Sequence, residues 1–165
     1  MTSPLDYVRD SLLRRMSTMH SLYYEAVGTM TLEQVNTVIA ELPIWNDDWS
    51  ARVKLAIDDH GKDRPVEEMI DQRVGDYEAF KAYQRAVLTR TETHIETMDP
   101  ADFERVIIAP PYPPMVQNTY SERCAGPQGI TVLDAFECWH HQHGLRHIGE
   151  IEMIRGHFGL GGLTA

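Results

Sequence analysis

Residues 4–27 read PLDYVRDSLLRRMSTMHSLYYEAV, and the spacing of their apolar side chains decides the fold class. Leu5, Val8, Leu12, Met16, Met19, Tyr23 and Val27 recur at intervals of three and four, which lays them along one side of an α-helix of roughly six to seven turns. Ser3 is placed to cap this helix. Pro4 suits its first position, where the N–H that proline lacks would have no helical partner. The other side of the helix is charged, so the apolar stripe has to be buried against further elements.

The same argument extends along the chain. Asp76–Met98 carries a second stripe of Phe80, Tyr83, Val87, Thr91, His94 and Met98, widened by Tyr77 and Ile95. A third long helix is capped by Thr131 or Asp134 and ends in the glycines of Gly159-Leu-Gly-Gly162. Between these, Thr31 and Gln34 form a capping box that opens a short helix to Leu42, stopped by Pro43. The stretch IWNDDWSARVKLAIDDHG, Ile44–Gly61, reads as another helix, begun at Asn46, Asp47 or Asp48, anchored by Trp45 and Trp49 and stopped by Gly61. Pro65 marks a fresh start and Gly75 a break, and Asp99 with Pro100 caps a short turn through Phe103. Arg105–Gly129 holds five prolines and two glycines in 25 residues, which no regular helix absorbs, so it is expected to be a long extended loop with a strand only at Arg105–Ile108. These elements predict one all-α domain over residues 1–165, a helical bundle with a long Pro-rich loop before its last helix.

Composition narrows the function classes. A formal charge of −10 and a pI near 5.2 give no basic patch for nucleic acid or an anionic membrane surface. No apolar run is long enough to cross a membrane, and the N-terminal residues interleave charged and apolar side chains without a signal-peptide core, which predicts a cytoplasmic protein. Cys124 and Cys138 form no CxxC pair and are expected to be free thiols, neither of them a strong nucleophile.

The chemistry concentrates in the last helix. Glu137–Gly159 contains His140, His141, His143, His147 and His157. Helical geometry brings residues four apart onto one face, so His143 and His147 can point at one divalent cation, while His141 diverges from them. Phe136, Trp139 or His140, His143, His147, Ile151 and Ile154 are expected along one side, so the pair interrupts an otherwise apolar face, where a buried imidazole needs a partner for each ring nitrogen. Two ligands do not complete a metal site, and a third has to come from another segment. Glu150, one turn beyond His147, is the candidate catalytic base or the acceptor that orients that imidazole. Glu137 and His141 are spaced for a surface ion pair. Arg146 and Arg155 can either bind a cofactor carboxylate or line a solvated face.

HGLRHIGEIEMIRGHFGLGG, His143–Gly162, resembles the last helix of the DinB-like (YfiT-like) metalloprotein superfamily. Three further segments follow in the same order: DYVRDSLLRRMSTMHSLYYEAV with TLEQVN, WSARVKLAIDDH as a Trp-Ser start to a second helix, and FKAYQRAVLTRTETHIETMDPADFERV as a third. The resemblance implies a four-helix bundle, commonly a homodimer, that holds a divalent metal such as zinc or nickel on three histidines and leaves a position open for water or a small-molecule substrate. Characterised members of that superfamily include transferases and isomerases that use a low-molecular-weight thiol. Two of the three ligands carry over to His143 and His147.

The third does not carry over directly. The register expected from the Trp-Ser start falls near Ile57, and His60 lies one turn later, displaced by about 4.5 Å along a helix axis. His60 is therefore the first candidate for the third ligand, with His20, His94 and the carboxylates of Asp58 and Asp59 behind it. Two functions follow: a metal-dependent enzyme using a thiol cofactor, or a bundle whose metal site has degenerated and which serves as a binding or dimerising module.

Overall fold

The computed structural model describes residues 4–29, 47–57 and 65–163. The chain is mostly helical, as expected. The expected short helix over 31–42, the caps at Ser3 and Asn46, Trp45 and the stop at Gly61 lie outside the described residues. Two compact units are present: Met1–Met19 with Glu92–Arg146, and His20–Thr91 with His147–Ala165.

Helix α1 spans Pro4–Gly28. Its stripe is buried at Leu12, Met16 and Met19, with His20 and Ala26 buried beside them. Helix α2 is Asp47–Val53 and begins, as expected, at the acidic pair Asp47 and Asp48, whose charges favour a helix N-terminus. It stops far short of Gly61. Lys54 adopts a left-handed backbone at φ 55°, and the chain then turns so that Leu55 bridges antiparallel to Val74. The buried Gln72 side chain clamps this turn: its Oε1 accepts from the Ile57 N–H at 2.8 Å and its Nε2 donates to the Ile57 carbonyl at 2.7 Å. Gly75 is required opposite Lys54, because a Cβ there would lie 2.5 Å from the Lys54 carbonyl oxygen.

Helix α3 is Val66–Met69, following Pro65, and α4 is Tyr77–Thr97. Asp76 caps α4 by accepting from the Ala79 N–H at 3.0 Å. The second unit's core gathers Ala26 of α1, Val53 of α2, Val74, Phe80, Tyr83 and Val87 of α4, and Ile151 of the last helix. Trp49 is one anchor of it, edge-on to Tyr83 with ring centroids 5.0 Å apart and with the Arg52 guanidinium 4.1 Å above its own ring. Each such large side chain, fully buried, contributes about 1.5–3 kcal/mol.

In the first unit, Asp99 caps a 3₁₀ turn over Pro100–Glu104 by accepting from Ala101 N–H, and Phe103 is fully buried. The Pro-rich segment carries more structure than an extended loop. Strand β1, Val106–Ile108, pairs antiparallel with β2, Ile130–Thr131, and a short helix α5, Tyr120–Cys124, lies between them with Thr119 as its N-cap. Gly129 makes the turn into β2 at φ 128°, a conformation side chains resist. Thr131 then caps the last helical run reciprocally: its hydroxyl accepts from Asp134 N–H at 3.2 Å and the Asp134 carboxylate accepts from Thr131 N–H at 2.8 Å. That run comprises α6 at Val132–Ala135, a π-helical segment at Phe136–Gln142 and α7 at His143–His157.

The π-helical segment changes which residues face inward. Its hydrogen bonds close one residue later than in an α-helix, so a face projected from Phe136 at α-helical spacing slips in register downstream. Gly144, Ile148, Ile151 and Arg155 are the buried line of α7, and His143 is exposed. The expectation that His143 lies on the apolar face is corrected accordingly.

Candidate functional site

His143 opens α7 and His147 lies one turn further on, four residues later on the same helix. The His147 side chain is 28% exposed and its Nδ1 lies 2.7 Å from the Glu150 Oε2. A carboxylate at this distance favours the tautomer that carries its proton on Nδ1, the arrangement in which Nε2 is the nitrogen that would face a cation. Glu150 thus stands where an orienting acceptor would stand. Its own side chain is 60% exposed, so as an ion pair alone it contributes little.

Tyr23 of α1 belongs to the same unit as His147 and Glu150. Burial, and after it the negative charge of Glu150, raises its phenol above the ordinary range. His20 lies one turn earlier on α1, fully buried and engaged in an interaction. Sequence reasoning placed Tyr23 in the apolar stripe and attached no electrostatic role to it. The available signal was a phenol beside a histidine on an otherwise aliphatic stripe.

The remaining candidates are placed as follows. His94 is exposed on α4, with its ring 6.1 Å from Phe136. Ile95, one residue on, takes the buried position instead, because an aliphatic side chain enters a core without the polar cost that an imidazole carries. His60, Asp58 and Asp59 lie outside the described residues. The helix expected to carry them ends at Val53, so the helical register linking Trp49 and Ser50 to Ile57 is not formed. Among the described residues, no group of three or more His, Cys, Asp or Glu side chains is gathered so as to hold a metal ion. The described residues therefore supply a spaced pair and an orienting carboxylate, short of a full ligand set.

Two sequence readings of charged residues are also corrected. The Glu137 carboxylate, beyond its pull on His141, is held by a two-pronged contact from Arg15 of α1, at 2.9 and 2.5 Å. Desolvation, reinforced by the Arg15 charge, lowers the pKa of His141 against the opposing pull of Glu137. Arg155, considered above as a surface or cofactor-binding group, is buried. It donates to the Ala26 carbonyl at 3.1 Å, to the Thr29 hydroxyl at 2.5 Å and to the Gly161 carbonyl at 3.2 and 3.3 Å. These bonds tie the end of α1 and the glycine-rich tail to α7, and they commit Arg155 to the fold. No helix among the described residues is long and apolar enough to cross a membrane.

No family model matches the chain, and neither a curated protein nor a solved structure does.

Proposed function

We propose that this protein binds a divalent metal ion, zinc or nickel, through His147 and His143, with Glu150 orienting the His147 ring. The observation that carries the reading is the 2.7 Å contact from His147 Nδ1 to Glu150, the arrangement by which proteins set the tautomer and aim of a metal-binding imidazole. It agrees with the DinB-like resemblance of the last helix, and with it the four-helix bundle, the homodimer and a small-molecule substrate belong to this proposal. In that setting the reaction is transfer or isomerisation with a low-molecular-weight thiol. A bound cation would supply Lewis acidity, lowering the pKa of a thiol or water in its open position. Glu150, engaged by His147, acts as a positioning residue in this reading rather than as the base.

A second reading has its own support. The helix expected to bring the third histidine ends at Val53. A bundle that retains the pair and lacks the third ligand would serve as a non-catalytic binding or dimerising module.

Metal content of the purified full chain, measured by elemental mass spectrometry, separates the two. The first reading expects close to one zinc or nickel per chain, lost in the His143→Ala, His147→Ala double variant, with His60→Ala reporting whether that residue completes the set. No retained metal after incubation with either ion refutes it and leaves the non-catalytic module.

A further inference from the structure

Helix α7 leaves one face uncovered. Arg146, Gly149, Glu150, Met153, Gly156 and His157 are exposed along it, opposite the buried line of Gly144, Ile148, Ile151 and Arg155. Met153 is 63% exposed, and a Cβ built on Gly149 or on Gly156 would meet nothing within 4 Å. The face therefore presents a protruding side chain set between two recesses. His143, Glu150 and His157 recur at intervals of seven residues and so share one edge of it, with His147 beside them. Among the described residues, the chain gathers no third ligand for the His143 and His147 pair.

We propose that a second copy of this chain packs antiparallel on this face, and that His157 of the partner subunit completes the cation site begun by His143 and His147. The inference rests on the metal reading above and names its missing ligand. In a two-fold pair of antiparallel helices every contact is made twice, once in each direction. Seating Met153 of each copy in the Gly149 recess of the other satisfies that condition and fixes the register. The same register sets Gly156 opposite Arg146, whose aliphatic stem can cross the open glycine. It also brings His157 of the partner subunit level with position 145, midway between His143 and His147. The two-fold keeps equivalent edges of the two helices on the same side, so the three imidazoles converge. The face alone is too small to hold a dimer: α7 has 15 residues, about 22 Å long and about 10 Å across, well short of the about 800 Å² that each partner of a stable interface buries. Each chain also carries a formal charge of −10, so bare copies repel. Two divalent cations held between the helices oppose that repulsion and tie the copies together. The dimer is therefore expected only with the cation bound, at one cation per chain.

Sedimentation velocity of the full-length protein, first in chelator and then with one equivalent of zinc, tests this. The expected result is a monomer of 18.9 kDa in chelator and a dimer with zinc, carrying one zinc per chain by elemental mass spectrometry. His157→Ala should stay monomeric with zinc and bind it about 10-fold or more weakly, since loss of a ligand costs at least what loss of its orienting partner does. Gly149→Gln, which fills the recess where open space surrounds it, should keep the circular dichroism spectrum and lose the dimer. Mixing His157→Ala with the His143→Ala, His147→Ala double variant gives the sharpest result: each chain supplies what the other lacks, so the mixture should form a heterodimer holding one zinc, which neither variant forms alone. A zinc-loaded wild-type monomer, a dimer that persists in chelator, or unchanged zinc binding by His157→Ala overturns the inference and leaves the metal reading standing. A wild-type chain that takes up no zinc overturns both. The wild-type masses decide the question even where a variant fails to fold.

Discussion

Replacing Arg155 with alanine tests the most heavily committed side chain in the second unit. Arg155 is 5% exposed, and its guanidinium donates to three acceptors, two of them more than a hundred residues away in sequence. The Gly161 carbonyl and the Thr29 hydroxyl belong to exposed residues and regain water when the guanidinium is removed, so their loss is cheap. The Ala26 carbonyl belongs to a fully buried residue and, among the described residues, would keep only the longer bond from the Thr29 hydroxyl, at 3.4 Å, so losing the charged donor costs about 1–2 kcal/mol. Loss of the packed aliphatic stem adds about 1 kcal/mol, and release of a charge from burial returns part of the total. The net expectation is a destabilisation of about 2 kcal/mol, or a fall in Tm of roughly 4–8 °C for a chain of this size. Urea unfolding followed by far-ultraviolet circular dichroism measures it. Arg155→Lys should recover only part of the loss, because a point charge cannot serve acceptors that a planar fork reaches together. A cycle with Thr29→Val should show a coupling of about 1–2 kcal/mol. A change below about 0.5 kcal/mol for Arg155→Ala would refute the assignment of Arg155 as a structural tie.

Three other outcomes follow from the geometry. Glu150→Gln should weaken zinc or nickel binding by about 10-fold or more while leaving the urea midpoint unchanged, since the carboxylate is 60% exposed; equal affinity in calorimetric titration would remove it from the site. His141 is less basic in the fold than its ordinary value of 6.5, so below that pH the unfolded chain takes up more protons than the native one and stability falls as pH drops from about 6.5; His141→Gln should flatten this slope in unfolding curves recorded between pH 7.5 and 5.5. Lys54→Gly should stabilise by about 0.5–1 kcal/mol by relieving the left-handed backbone, whereas Gly75→Ala should destabilise by more than that, because its Cβ would meet the Lys54 carbonyl; opposite signs in thermal melts are the check.

The parts of the fold that were legible in the sequence are those where one local rule acts alone. Tyr77–Thr97 follows from its stripe and from Asp76, the Pro100–Glu104 turn from its Asp-Pro start, and the last helix from the Thr131 and Asp134 capping pair. The errors arose where a tertiary contact overrode local pattern. Ile44–Gly61 has helical spacing, yet Gln72, fifteen residues from Ile57, clamps that residue's backbone and ends the helix early. No local signal marks Lys54 as left-handed, since glycine is the usual residue there. The π-helical segment was illegible for a different reason: its sequence, FECWHHQ, carries no proline or glycine, and only the burial of Gly144 and Ile148 in place of His143 exposes the slipped register. Within the candidate site, the spacing of His143, His147 and Glu150 was readable because one helix carries all three. The relation of Tyr23 to Glu150 was not, because it joins the first and last helices.

The ties between those two helices also bear on how the chain is made. Arg15 waits for Glu137, 122 residues later, and the Ala26 carbonyl waits for Arg155, 129 residues later. At about 5–20 residues per second, α1 leaves the ribosome roughly 6–26 s before either tether exists, with Leu12, Met16 and Met19 still unburied. During that interval the nascent chain presents an apolar stripe to any holdase within reach. A message truncated before Glu137 would yield a first helix with neither polar tether, and a chain in that state is a substrate for proteolysis.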